Sequence, residues 1–163
     1  MTNGVVSLRA VKEGDLSDVV ALIRELADFE NLTHQVQVRP EDLARHLFGE
    51  RPVIECVVAE QGSEVIAFAL FFVNFSTFLG KPGLYLEDLY VQPQHRRSGV
   101  GTRLLAHLAG LAVERDYGRF EWSVLDWNTP AIEFYESLGA KLHKEWLRMR
   151  VEGEALSKLA SRV

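Results

Sequence analysis

The sequence has few of the features that mark secreted, membrane-bound or disulfide-stabilised proteins. Its 163 residues contain one cysteine, Cys56, so an internal disulfide is excluded and a reducing, cytoplasmic setting is expected. The chain does not open with a basic segment followed by an apolar one, and its longest apolar run, residues 65–73, is too short to cross a bilayer. Export and membrane insertion are therefore disfavoured.

Positive charge is also in short supply. There are 18 Lys and Arg residues against 23 Asp and Glu residues, a net charge of −5, which disfavours binding to nucleic acid or an anionic membrane through bulk electrostatics. A cationic small molecule is the better electrostatic partner. Hydrophobic residues make up 47% of the chain, enough for a sizeable core, and the length fits a single domain spanning residues 1–163.

Several catalytic signatures are missing. The histidines show no His-Glu-x-x-His spacing, and no Cys-x-x-Cys pair or Gly-x-Ser-x-Gly nucleophile elbow occurs, so no metal is expected and serine chemistry is disfavoured. The chain has no Walker loop, and Leu104 stands where a dinucleotide-binding fingerprint needs glycine or alanine. A thiol nucleophile is also disfavoured, because Cys56 lies in an apolar strand pattern.

The hydrophobic periodicity predicts strands and helices in an order that mixes a meander with crossover helices. We expect an α/β (α+β) fold with a mixed, mostly antiparallel central sheet flanked by helices. The predicted strands are residues 5–10, 53–59, 64–75, 84–91, 120–125 and 146–151, with turns at 61–63 and 80–83. The predicted helices are residues 16–30, 40–48, a long helix through 104–112, 128–138 and 154–160.

A glycine-containing loop, residues 94–102, joins the strand at 84–91 to the long helix. Glycines allow backbone amides to turn towards one anion where a helix begins, so a phosphorylated ligand is the first expectation. A simple strand-to-helix turn is the alternative. The basic side chains here suit phosphates, although each also fits a solvated helix start.

Four blocks of the sequence together resemble the Gcn5-related N-acetyltransferases (GNAT). They are LADFE at 26–30, LYLEDLYV at 84–91, RRSGVGT at 96–102, and WNTPAIEFY at 127–135 with Gly139 and Ala140 beyond it. The resemblance covers nearly the whole chain and is strongest to the diamine (spermidine/spermine) and thialysine acetyltransferase branch. It implies the GNAT fold and acetyl-CoA as co-substrate.

The resemblance also implies which residues contact acetyl-CoA. Strand backbone would pair with the pantetheine arm, loop amides would hold the pyrophosphate, and the start of a later helix would flank the other side. The implied contacts are Leu89, Tyr90, Val91, Arg96, Arg97, Ser98, Gly99, Val100, Gly101, Thr102, Asn128 and Ala131.

Acetylation of an amine needs a proton acceptor, because only about one alkylamine in a thousand is neutral near pH 7. Glu87 and Asp88 are adjacent on a strand, so regular alternation sends their side chains to opposite faces. The resemblance implies Glu87 as the base and as an amine ligand. The alternative for this pair is a surface carboxylate that balances nearby arginines.

Further roles follow from the same resemblance. Phe29, Glu30, Glu87 and Asp88 would bind a cationic substrate, and Tyr135 would protonate the departing thiolate. Without the resemblance, Tyr135 fits plain helix packing, and Asp28 and Glu30 fit polar residues at a helix end. The segment between Ala140 and Trp146 is shorter than in the diamine branch. Enzymes of that branch carry an acidic residue there, and Glu145 is only a loose candidate for it in this sequence.

The function expected from the sequence is direct acetyl transfer, in a ternary complex, to a primary amine of a small polyamine-like cation. Thialysine, lysine or a protein amine are alternative acceptors, and a non-catalytic acyl-CoA sensor is the alternative outside enzymes. Family members are commonly homodimers, so a homodimer is expected. The aromatic run Phe71, Phe72, Phe75 and Phe78 fits either a subunit contact or the core.

Overall fold

The computed structural model of the chain describes residues 4–163. They form two compact units, one ending at Ser123 and one comprising Val124–Val163. The first unit contains strands Val6–Ala10 (β1), Glu55–Gln61 (β2), Glu64–Ser76 (β3), Lys81–Val91 (β4) and Phe120–Trp122 (β5), and helices Leu16–Phe29 (α1), Pro40–Phe48 (α2) and Val100–Glu114 (α3). The second contains helices Thr129–Ser137 (α4) and Gly153–Ala160 (α5).

The five strands form one sheet in the order β1-β2-β3-β4-β5. Neighbouring strands are antiparallel except β4 and β5, which are parallel. A parallel pair needs a crossover connection, and α3 lies between these two strands in the chain. The predicted fold, a mixed and mostly antiparallel sheet with flanking helices, is confirmed.

Helices α1 and α2 cover one face of the sheet. Their apolar stripes include Val19, Leu22 and Leu43, which are buried in one cluster with strand residues such as Phe68 and Tyr90. Alternate strand residues face away from this cluster, and α3 contacts β2, β3 and β4. The sheet therefore lies between helices.

The ladder between β3 and β4 contains a β-bulge. Leu70 pairs with Asp88 and Phe71 pairs with Leu86, so Glu87 is an extra residue on β4. Asp88 consequently shares a sheet face with Leu70, on the side of α1. Glu87 itself is exposed.

The predicted bounds of β4 and β5 are wrong, and one predicted strand is absent. β4 begins at Lys81, inside the predicted turn, because the Gly80 amide donates to the Ser76 carbonyl at 2.8 Å and closes the hairpin earlier. β5 ends at Trp122 rather than at residue 125. The predicted strand at 146–151 is absent from the sheet, and Trp146, Leu147 and Met149 are exposed. Apolar alternation needs a partner strand to become a strand, and the sequence does not show that partner.

None of the helices within residues 4–163 is both long and apolar enough to cross a membrane.

Arg9 ties β1 to β2 and to the start of α1. Its guanidinium donates to both carboxylate oxygens of Asp15, at 2.6 and 2.9 Å, and to both of Glu60, at 3.0 and 3.1 Å. The amide of Lys12 also donates to Asp15, at 2.7 Å. These hydrogen bonds, those from Arg9 above all, lower the pKa of the Asp15 carboxyl below its ordinary value of 3.8.

We expect Asp15→Asn to lower the free energy of unfolding at pH 7 by about 2 kcal/mol, because it leaves a half-buried guanidinium short of one carboxylate. Since the folded-state pKa of Asp15 is lowered, its contribution is present above pH 3.8 and is lost as pH falls through the lower folded value. Urea unfolding of both proteins across this range measures the difference. Asp116→Asn, at the exposed pair with Lys81, is the control and should change little. A pH-independent difference would contradict the assignment.

Candidate active site

The carboxyl-terminal half of β4 extends beyond its parallel neighbour. The pairing of β4 with β5 covers Leu84 to Leu86 only, so Glu87 to Val91 run past the end of β5. The Gln92 amide donates to the Ile66 carbonyl on β3, and neighbouring residues of a strand direct their backbone groups to opposite edges. The amides and carbonyls of Leu89 and Val91 therefore face the edge that β5 leaves open.

The three strand residues assigned to the cofactor, Leu89, Tyr90 and Val91, therefore differ in the edge that their backbone groups face. The backbone of Tyr90 faces β3, opposite Phe68. Its side chain is buried, and burial above all, with the nearby carboxylate of Glu25, raises the pKa of Tyr90. Leu89 and Val91 are thus the two residues whose backbone groups are placed to pair with an extended ligand.

Three carboxylates meet beside this edge. Burial above all, together with the negative charges of Glu87 and Glu30, raises the pKa of Asp88 from 3.8 to about 6. Burial also raises the pKa of Glu30, at the end of α1. Among residues 4–163, none of the ion pairs joins these three acids to a basic side chain. The cluster suits a cationic ligand.

Asp28, two residues before Glu30, has a local role. Its carboxylate accepts a hydrogen bond from the Thr33 hydroxyl, and its backbone carbonyl accepts one from the Asn31 amide at 3.1 Å. These bonds shape the chain where α1 ends. Of the acids in this segment, Glu30 is the one that joins the carboxylate cluster.

The glycine loop ends at the amino terminus of α3 in a conformation suited to an anion. Arg97 and Gly99 both have positive φ, 61° and 82°, which turns successive amides towards one side. The first amides of any α-helix lack intrahelical acceptors, and at α3 no side chain caps them and no acidic residue lies in the first turn. A Cβ on Gly101 would lie 3.9 Å from Val91, an ordinary contact, so packing within the protein does not require glycine there.

Arg96, the first residue of the loop motif, is engaged by the protein itself. Its Nε donates to the Val91 carbonyl at 2.9 Å. Its guanidinium carbon lies 5.4 Å from the ring centre of Phe29 and 5.3 Å from that of Tyr90. The loop is thereby fastened both to β4 and to the end of α1.

The second unit carries the remaining predicted residues on and before α4. The side chain of Asn128 caps the helix by accepting the Ala131 amide at 3.4 Å, so these two residues lie together at its start. Tyr135 is half-buried, with its ring centre 5.5 Å from that of Phe134. Glu145 lies 3.0 Å from the Nδ1 atom of His143, and its pKa is lowered by its own backbone amide and by His143.

Sequence analysis missed Tyr85. Its ring centre is 5.2 Å from that of Phe72, and its hydroxyl lies 2.7 Å from the Ser123 hydroxyl, just beyond β5. Simple alternation sends residues 85 and 88 to opposite faces, but the bulge at Glu87 places them on the same face. No short pattern in the sequence reveals such a bulge.

Two side-chain groups fall outside the site chemistry. Burial raises the pKa of the Cys56 thiol to about 12, which opposes a nucleophilic role. The aromatic run divides: Phe71 is buried in the core and Phe72 packs on Tyr85, whereas Phe75 and Phe78 are exposed.

Comparisons with known proteins agree with this geometry. The family model described as the acetyltransferase (GNAT) family matches residues 20–140. A thialysine N-epsilon-acetyltransferase from Mus musculus is 42% identical over 166 residues, covering 95% of this chain and 97% of that protein. An L-ornithine N5-acetyltransferase from Arabidopsis thaliana is 43% identical over 124 residues, 76% of this chain and 51% of that protein.

A solved structure shares the fold at moderate sequence identity. An integron cassette protein from the mobile metagenome of V. cholerae superposes with a TM-score of 0.79 at 30% identity, covering 95% of this chain and 97% of that one. An aminoglycoside acetyltransferase from a soil metagenomic sample superposes with a TM-score of 0.76 at 17% identity, which shows the fold alone.

We expect Asp88→Asn to stabilise the protein at pH 7.5, by up to about 3 kcal/mol, because it removes a charge that the folded state disfavours. A folded-state pKa raised to about 6 means that Asp88 costs nothing below pH 3.8, destabilises increasingly as pH rises from 3.8 to about 6, and destabilises by a constant amount above that. Thermal unfolding from pH 4 to pH 8 should show the variant's advantage growing up to about pH 6 and then levelling off. The control is Glu114→Gln, at an exposed glutamate on α3 away from the cluster, which should leave the melting temperature unchanged. An equal gain in both variants would contradict the partial burial of Asp88.

Proposed function

Because the chain belongs to the acetyltransferase (GNAT) family, we propose that it transfers the acetyl group of acetyl-CoA to a primary amine on a small molecule. The observation that carries the proposal is the placement of three carboxylates, Glu30, Glu87 and Asp88, beside the open edge of β4, without an ion pair to any other residue in the described range 4–163. An amine held by these acids lies next to the backbone groups of Leu89 and Val91. The residues present therefore fit both substrates.

Acetyl-CoA brings a reactive thioester and an anionic pyrophosphate, and separate parts of the chain fit each. The amides from Arg97 to Thr102 hold the pyrophosphate, at the positive end of α3. Leu89 and Val91 pair with the pantetheine arm, and Asn128 and Ala131 flank it. No metal takes part in this scheme.

Glu87 accepts a proton from the bound ammonium, directly or through water, so that the neutral nitrogen attacks the thioester carbonyl. The amide of Leu89 stabilises the oxyanion that develops, because it is held on a fixed strand. Tyr135 then donates its proton to the departing thiolate as the C–S bond breaks and the carbonyl re-forms. The nitrogen passes its surplus proton through water to the tyrosinate, which restores Tyr135. Both substrates are bound together, and no acetyl group is attached to the protein.

The names of the relatives favour the side-chain amine of a thialysine-like or ornithine-like amino acid as the acceptor. The charges favour a diamine or polyamine, because the α-carboxylate of an amino acid is repelled by three acids while a second ammonium group is attracted. A relative named spermidine/spermine N(1)-acetyltransferase-like protein 1, from Homo sapiens, is 30% identical over 94% of this chain. A panel containing both classes of amine decides between them.

The same proposal includes the setting of the enzyme. We infer one catalytic domain over the whole chain, a homodimer in which the exposed Phe75 and Phe78 contribute contacts, and a reducing cytoplasm where the buried Cys56 stays a thiol. Analytical ultracentrifugation of the wild type beside Phe78→Ser tests the dimer.

Turnover is measured as CoA release from acetyl-CoA with spermidine, a short diamine, lysine, ornithine and thialysine. We expect activity on at least one amine, reduced about 100-fold to 10,000-fold by Glu87→Gln and by Tyr135→Phe, because each removes a proton-transfer group. Glu114→Gln, at an exposed glutamate on α3, is the matched control and should retain full activity. Tight acetyl-CoA binding without turnover on any amine would replace the enzyme with an acyl-CoA sensor.

Gly101→Ala tests the pyrophosphate loop. The new methyl group meets no protein atom closer than 3.9 Å, so the fold should persist, but it enters space that the proposal gives to phosphate. We expect the KM for acetyl-CoA to rise by about tenfold, equivalent to about 1.4 kcal/mol of lost binding. Gly110→Ala, on the same helix with nothing within 4 Å, is the control and should leave that KM unchanged. Equal KM values for both variants would place the phosphates elsewhere.

A further inference from the structure

We propose that Arg96 is a positioning residue whose side chain connects the acetyl-CoA side of the site to the amine side. In this role the side chain does not contact phosphate. The inference rests on the proposed function and deepens it. It predicts that Arg96, the first arginine of the glycine loop, controls amine binding. A side chain that only binds phosphate would not do so.

The contacts of Arg96 reach both halves of the site. Its Nε donates to the carbonyl of Val91 at 2.9 Å, on the open edge of β4 where the pantetheine arm is proposed to pair. Its guanidinium carbon also lies over two rings, 5.4 Å from the ring centre of Phe29 and 5.3 Å from that of Tyr90. Phe29 is the last residue of α1 and directly precedes Glu30 of the carboxylate cluster.

One of the two rings is itself fixed. Tyr90 is buried on β4, in one cluster with apolar residues of α1. Arg96 therefore rests against a rigid surface on one side and against the end of α1 on the other. Holding Phe29 in this way sets the position of Glu30.

Arginine is suited to this task and lysine is not. A planar guanidinium donates to a carbonyl and stacks between aromatic rings at the same time, whereas an ammonium group is a compact, strongly hydrated charge. Arg96→Lys therefore keeps the positive charge near the phosphates but loses the bridge. A phosphate ligand acting as a point charge would tolerate the same change.

The bridge makes the binding of the two substrates interdependent. A ligand that orders the loop and the Val91 edge also orders Phe29 and Glu30 through Arg96. Such a coupling between binding sites is reciprocal, so acetyl-CoA strengthens amine binding by the same factor as the amine strengthens acetyl-CoA binding. Without Arg96 the two sites bind independently.

The test is a matrix of initial velocities in which both substrates are varied, using whichever amine the wild type turns over. We expect Arg96→Lys to raise the amine KM about fivefold or more at saturating acetyl-CoA, a coupling within the usual range. Arg97→Lys, one residue along the same loop, is the matched control and should change only the KM for acetyl-CoA. If Arg96→Lys also changes only the KM for acetyl-CoA, Arg96 is a phosphate ligand and the proposal is overturned.

Phe29→Leu provides a second arm, because it removes the ring and keeps an apolar side chain. Under the proposal, the double variant with Arg96→Lys raises the amine KM no further than either single variant, since both break one bridge. Independent effects that multiply would show that Phe29 acts on the substrate without Arg96.

Hydrogen exchange separates failure of this inference from failure of the proposed function. We expect the amides of Glu30, Asn31 and Leu32, which are hydrogen-bonded at the end of α1, to exchange faster in Arg96→Lys than in Arg97→Lys. This measurement holds even if the wild type acetylates no amine. Equal exchange in the two folded variants would overturn the bridge, whatever the turnover assay shows.

Discussion

The candidate site depends on where the parallel pairing between β4 and β5 stops. Antiparallel hydrogen bonds to β3 hold the whole of β4, while β5 supports it only as far as Leu86. The remaining residues keep one edge fixed and leave the other available for an extended ligand. Backbone donors placed on a paired strand do not need to reorganise when charge develops beside them, which is the condition for electrostatic stabilisation.

The site divides charge in a way that matches the two substrates. Amides at the start of α3 and the basic residues before it suit an anion, while the acids at the end of α1 and on β4 suit a cation. The net charge of −5 does not show this division, because it is a sum over the chain and does not depend on where the charged residues lie. The half-buried Asp88 has a raised pKa, so its surroundings disfavour its charge at neutral pH, and perturbed groups of this kind cluster at functional sites.

Much of the fold was predictable because its signals are local. The apolar stripes of α1 and α3, Pro40 and Gly49 at the ends of α2, and the hairpin glycines each act within one element. The predicted strand at 146–151 failed because strand formation needs a partner. The contacts of Arg96 with Phe29 and Tyr90 were equally hard to predict, because Arg96 and Phe29 are 67 positions apart in the sequence. The positive charge of Arg96 alone indicates a phosphate contact.

The bulge on β4 places the proposed base at a position that contributes little to the stability of the fold. Glu87 is the surplus residue of the ladder, and its neighbours Leu86 and Asp88 keep their own partners on β3. Its exposed side chain adds nothing to the core on either side of the sheet. In evolution, the proposed base is thus free to change while the scaffold around it persists, so a relative that has lost the reaction can keep the same architecture.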